Sequence, residues 1–211
     1  FLIKYRNLKN MQRLRLRIAS DLHDEVGSVL TEITLLSENL WLAGSVRAEE
    51  HERLQKITSL SREATSSMSD ILWTIDVRND FAGSMADRMR EHAEALLLPA
   101  NIELHFDAGE VQHKQKMPAE VRQQLYLIFK EALNNVARHA QATEVKIIYR
   151  YDHDGFFLSI VNDGVGTIEP DGTGQGLANM KMRAEGIGAV MRWECAHGIF
   201  SVTVERRKNI A

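Results

Sequence analysis

The feature that most constrains this chain is an apolar repeat near its start. Ile18, Leu22, Val26, Val29, Ile33, Leu36 and Leu40 follow one another at spacings of 4, 4, 3, 4, 3 and 4 residues. Such spacing draws a single helical stripe close to a heptad seam, and Leu8 and Met11 extend it towards the N-terminus. No proline occurs before residue 80, and the only glycines there are Gly27 and Gly44. "AGSVRAEE" (43–50) breaks the stripe with a glycine and then an acidic helix start. A second stripe follows at Leu54, Ile57, Ala64, Met68, Ile71 and Ile75. Residues 1–76 therefore read as a helical hairpin. Two helices alone bury too little apolar surface to stand by themselves, so the pattern predicts a second copy and a dimeric four-helix bundle. "VRNDFAGS" (77–84) reads as a linker.

From residue 85 to 211 the texture changes. A helical pattern runs to Leu98 and stops at Pro99, and "IELHF" (102–106) alternates like a strand. Pro118 opens a long helix, as proline does in a first turn. "EVKIIYRY" and "FFLSIVND" form a hairpin through "DHDG", and "AVMRWECA" and "IFSVTVERR" another through "HG". Between the hairpins lie a glycine-rich loop and the helix "LANMKMRAEGIG". The expected fold is α+β: the helical hairpin, then an α/β sandwich in which three helices cover one face of a mostly antiparallel sheet.

Composition narrows the function. The chain has 211 residues, 44% hydrophobic and 26% charged, which fits a soluble globular protein. Its net charge of −3, with Lys and Arg dispersed, gives nucleic acid no footprint. Cys195 is the single cysteine, so neither an intrachain disulfide nor a cysteine-based zinc site is available. No apolar run approaches the ~20 residues of a membrane span, and no signal peptide is visible. "FLIKYRNLKN" fits either the basic flank of a membrane helix or an arbitrary start.

Three stretches of the second part carry possible chemistry. Glu131 and Asn135 share a helix face, with Asn134, Arg138 and His139 close by. An amide oxygen suits Mg²⁺, although such a face is also an ordinary solvated one. "VNDGVG" places Asp163, Gly164 and Gly166 at a strand end, where a carboxylate could accept from an exocyclic amine or simply cap a turn. "GTGQGL" runs Gly172, Gly174 and Gly176 into a helix at Leu177, and bare N–H groups at a helix start attract anions. In the first part, "SDLHDEVGSVL" sets His23, Asp24 and Glu25 within the apolar stripe. A metal corner, a catalytic dyad and a solvated stripe all compete there, the first without a histidine at position 27.

In this order the boxes resemble sensor histidine kinases, whose ATP-binding domain is shared in outline with gyrase-type and Hsp90-type ATPases. "EALNNVARHA" is similar to the family's N box, "NDGVG" to its first glycine box and "GTGQGLANMKMRAEGIGA" to its second. "SDLHDEVGSVL" resembles the phosphoacceptor box of the nitrate-sensing and desaturase-sensing subfamily, and the resemblance runs from Met11 to Arg206. It implies a Bergerat-type ATP-binding domain with ATP and Mg²⁺ as cofactors. His23 would be the phosphoacceptor, with Asp24 as base and orienter, while Glu131 is carried over as catalytic. Asn135 would hold the metal and Asp163 would read the adenine. Asn134, Arg138, His139, Gly164, Gly166, Gly174, Gly176 and Leu177 would line the nucleotide. It further implies a homodimer that phosphorylates an aspartate of a response regulator, without touching nucleic acid, as the cytoplasmic portion of a membrane-anchored sensor.

Three departures stand out. Ser28 occupies the place of a glutamine that in many relatives positions a hydrolytic water. The lid, Thr167 to Thr173, is short. Ile199 stands where relatives often have Gly-Thr, removing a hydroxyl near the base. Two other readings remain: a silent ATP-binding dimerisation module, and a gyrase-type or Hsp90-type ATPase with Glu131 as base for water. Trp41, Trp73 and Trp193 read as core or interface, Met180 and Met182 as packing, and Cys195 as inert.

Overall fold

The computed structural model describes residues 26–40, 48–109, 115–164 and 175–207. His23, Asp24, Gly166, Gly174 and the lid loop lie outside the described residues. The chain divides into two compact units, Phe1–Asn79 and Asp80–Ala211.

The first unit contains helix α1 (residues 26–40) and the long helix α2 (Ala48–Ile75). The 28 residues of α2 span about 42 Å. Small hydroxyl residues make the contact between the two helices. The Ser61 hydroxyl donates to the Leu30 carbonyl at 2.6 Å, and Ser37 is buried. Thr31, Thr34, Ser37, Thr58 and Thr65 donate back to carbonyls four residues earlier, which satisfies their hydroxyls inside the helix. Arg62 pairs with Glu38 across the hairpin. Large side chains of the predicted stripes are left open: Leu36 and Leu40 are each 55% exposed, and Ile57 and Ile71 each 44%. Among the described residues, no helix is long and apolar enough to cross a membrane.

The second unit runs α3 (Ala82–Leu97), β1 (Glu103–Asp107), α4 (Ala119–Asn135), β2 (Glu144–Tyr151), β3 (Gly155–Asn162), α5 (Gln175–Gly186), β4 (Val190–Ala196) and β5 (Ile199–Arg207). The sheet order is β1-β2-β3-β5-β4, with β1 parallel to β2 and the other pairs antiparallel. Alternation decides which face is covered. Val145, Ile147 and Tyr149 are buried while Lys146 and Ile148 are exposed. Met85, Met89 and Leu97 of α3, Leu125, Phe129 and Leu133 of α4, and Met180 and Ala184 of α5 complete the core. Met182, expected to pack, is exposed. Both expected hairpins form. The second turns through His197 and Gly198, which both take positive φ as a two-residue turn requires. Gly155 opens β3 where a β-carbon would meet the Arg206 carbonyl oxygen at 1.8 Å.

The expected linker, 77–84, is corrected at its C-terminal side. Val77–Asn79 form a single 3₁₀ turn in the first unit. From Asp80 the chain already belongs to the second unit: Phe81 bridges Lys116, and Ala82 and Gly83 are buried in the start of α3. The pairing partner lies more than thirty residues downstream, so no local signal reveals it.

Candidate nucleotide site

Three element ends converge in the second unit. The first is the C-terminal end of α4, where the helix passes into a π-helical turn, Val136–Ala140. Such turns bond five residues apart rather than four and re-aim the side chains they carry. Asn134 and Asn135 are half-buried just before it, and Arg138 and His139 are exposed on it. The second is the end of β3. A β-carbon at Gly164 would lie 2.2 Å from the Ala140 carbonyl oxygen and 2.7 Å from the Ala142 nitrogen, so only glycine lets this backbone press against the exit of α4. The third is the start of α5. A β-carbon at Gly176 would lie 2.6 Å from Glu131 Oε1 and 3.4 Å from Asn135 Nδ2. Leu177 beside it is buried and anchors the helix start in the core. The structure thus brings Glu131, Asn135, Gly164, Gly176 and Leu177 into one region.

Asp163 is placed differently from its expected role. Its Oδ1 accepts from the Thr143 backbone N–H at 2.8 Å and the Glu144 N–H at 3.0 Å, and its Oδ2 accepts from the Thr143 hydroxyl. The Thr143 hydroxyl, followed by the Glu144 N–H, holds this carboxyl below the usual carboxylate range. Asp163 is exposed and ties the end of β3 to the start of β2. Both its oxygens are committed there, which corrects its assignment as the adenine-reading group.

The residue turned inward is its neighbour. Asn162 is 2% exposed, and its Nδ2 donates to the Gly164 carbonyl. Its Oδ1 is buried without a partner among the described residues. A buried acceptor left open is costly unless something donates to it. Strand alternation is the cause: Leu158, Ile160 and Asn162 share the helix-facing side, so the next residue turns away. Counting in twos from the apolar core would have found Asn162 in the sequence. The same parity corrects Ile199, which is half-exposed. Phe200 is the buried residue paired with Asn162 and stacks on Trp193 at 6.3 Å.

The donor set fits Mg·ATP on two observations. Gly176 lets the start of α5 come close against Glu131 and Asn135, and the open Asn162 Oδ1 suits an amine donor. Asn135 offers an amide to a hard cation that keeps most of its water.

Residues 15–80 match the family HisKA_3, histidine kinase. YxjM, a sensor histidine kinase of Bacillus subtilis, is 27% identical over 177 residues, covering 82% of this chain and 42% of that protein. The chain is similar to two-component sensor histidine kinases. The sensor histidine kinase LnrJ of Bacillus subtilis is 28% identical over 184 residues, with 85% of this chain and 44% of LnrJ covered. UhpB of Salmonella typhimurium, a signal transduction histidine-protein kinase/phosphatase, is 24% identical across 96% of this chain and 41% of its own length. The chain spans less than half the length of the curated relatives it matches. In fold it is similar to the histidine kinase domain of the Erythrobacter litoralis EL346 blue-light activated kinase, with a TM-score of 0.52 at 16% identity, covering 83% of this chain and 94% of that one. The Acinetobacter baumannii histidine kinase AdeS also gives 0.52, at 14% identity, over 89% of this chain and 98% of its own.

Proposed function

We propose that this kinase core binds Mg·ATP between α4, the end of β3 and the start of α5, and transfers the γ-phosphoryl group to His23. The observation that carries the reading is the seating of Gly176 against Glu131 and Asn135, which brings the two motif regions together. Asn162 reads the base by accepting from its exocyclic amine. The backbone at Gly176 and the side chains of Arg138 and His139 face the phosphates. Mg²⁺, held through Asn135, supplies charge neutralisation when bound. One ring nitrogen of His23 attacks the γ-phosphorus in line. The bond from that phosphorus to the β–γ bridging oxygen breaks, ADP leaves, and Asp24 takes the imidazole proton. Positioning and charge neutralisation supply most of the acceleration in such transfers. The phosphoryl group then passes to an aspartate of a response regulator.

The core acts as a homodimer through the open seam of α1 and α2, where Val29, Leu36, Leu40, Ile57 and Ile71 stand exposed on a single chain.

The test is labelling with γ-labelled ATP. His23→Gln is expected to incorporate no acid-labile phosphate while binding nucleotide as tightly as the unaltered chain. Label that persists on the variant overturns the assignment of His23.

A further inference from the structure

The chain enters the second unit at Asp80, and several contacts fasten it there. The Asp80 carbonyl accepts from the Met117 N–H at 2.8 Å, and the Ala82 N–H donates to the Gln115 carbonyl at 2.9 Å. Phe81 and Lys116 form the antiparallel bridge between them. The Arg122 guanidinium then donates from Nη1 to Asp80 Oδ1 at 2.8 Å. Arg122 has 0% of its side chain exposed and Asp80 29%.

This guanidinium stands near the start of α4, whose other end carries Glu131 and Asn135. The 17 residues of α4 span about 26 Å. One rigid helix therefore has the entry segment pinned at its head and the candidate nucleotide site at its foot. A fully desolvated arginine is a poor way to gain stability, because an apolar residue of similar volume commonly does as well. What the pair provides is a defined geometry, because a charge-assisted hydrogen bond is directional.

We infer that Asp80 and Arg122 form a positioning clip for phosphoryl transfer, fixing where the segment from α2 joins the nucleotide-binding unit relative to α4. Neither residue touches ATP. Its effect is read at the transfer step, and to that extent it rests on the proposed role of His23.

The test uses the full chain with Asp80→Asn and, separately, Arg122→Met. The second variant removes the buried charge and leaves Asp80 to water, so it keeps the test open if the first fails to fold. Affinity for a non-hydrolysable ATP analogue is expected to stay within about twofold of the unaltered chain. The rate of histidine phosphorylation at saturating ATP falls about 10- to 100-fold, the loss that a small misplacement of reacting groups produces. Hydrogen exchange at the Ala82 and Met117 amides accelerates, while Leu133 and Ile160 stay protected. Phosphorylation at the unaltered rate in a folded variant overturns the clip. So does a loss of nucleotide affinity and of core protection in step with activity, since that marks a merely structural pair. If the unaltered chain takes no label, the His23 reading fails. The exchange measurement still decides the clip, which falls if Ala82 and Met117 keep their protection in both variants.

Discussion

Gly176 lies against Glu131 so closely that a β-carbon on it would stand 2.6 Å from the carboxylate oxygen. Gly176→Ala therefore displaces Glu131 rather than backbone. The intruded atom ends a flexible side chain, so the cost in stability is about 1 kcal/mol. Histidine phosphorylation falls by about tenfold or more. A thermal midpoint measured beside the labelling rate checks the split. A variant that labels at the unaltered rate removes Glu131 and Gly176 from the site.

Asn162 Oδ1 is a buried acceptor with no donor partner among the described residues. Adenosine triphosphate is expected to bind about tenfold more tightly than inosine triphosphate, which carries a keto oxygen in place of the amine. Asn162→Ala abolishes that preference. Equal affinities for the two nucleotides on the unaltered chain would mean that Asn162 does not face the base.

Asp163 links acid stability to the β2–β3 junction. Its carboxyl is held below its ordinary value of 3.8 by the Thr143 hydroxyl and the Glu144 N–H. Its contribution is present above pH 3.8 and is lost as pH falls through the lower folded value. Asp163→Asn should lower the unfolding midpoint at neutral pH and flatten its decline below about pH 4. The group is exposed, so the effect is small. Thr143→Val reproduces it in part. A decline of unchanged steepness in Asp163→Asn assigns the acid limb to other groups.

Leu36 is open on the first unit. Burying a leucine contributes about 1.5–3 kcal/mol, and a twofold interface uses it twice. Leu36→Glu should therefore raise the dimer dissociation constant about a hundredfold or more. Sedimentation velocity measures this, and nucleotide affinity is expected to hold. A variant that stays dimeric at low concentration assigns the interface to another face.

Much of the fold was legible. The heptad-like spacing from Val26 to Leu40 announced a helix, alternation in "EVKIIYRY" announced β2, and His197-Gly198 announced a turn. What escaped was relational. A stripe of large apolar residues does not say which helix it meets, and here Ser37 and Ser61 serve the partner within the chain. The Phe81–Lys116 bridge joins distant segments, so the start of the second unit was set too late. At the site, the residue types were readable but their phase was not counted. Asp163 drew attention by its charge, although two-residue periodicity from Ile160 already turned Asn162 inward. The π-helical turn at Val136–Ala140 had no compositional mark.

That turn carries an evolutionary consequence. A side chain aimed by a register defect can be re-aimed by losing one residue, with no change of chemistry. Removal of Ala137 would let ordinary α-helical bonding resume and rotate Arg138 and His139 together. Kinases built on this scaffold could therefore redirect these two side chains by a single codon deletion, a route that substitution alone does not offer.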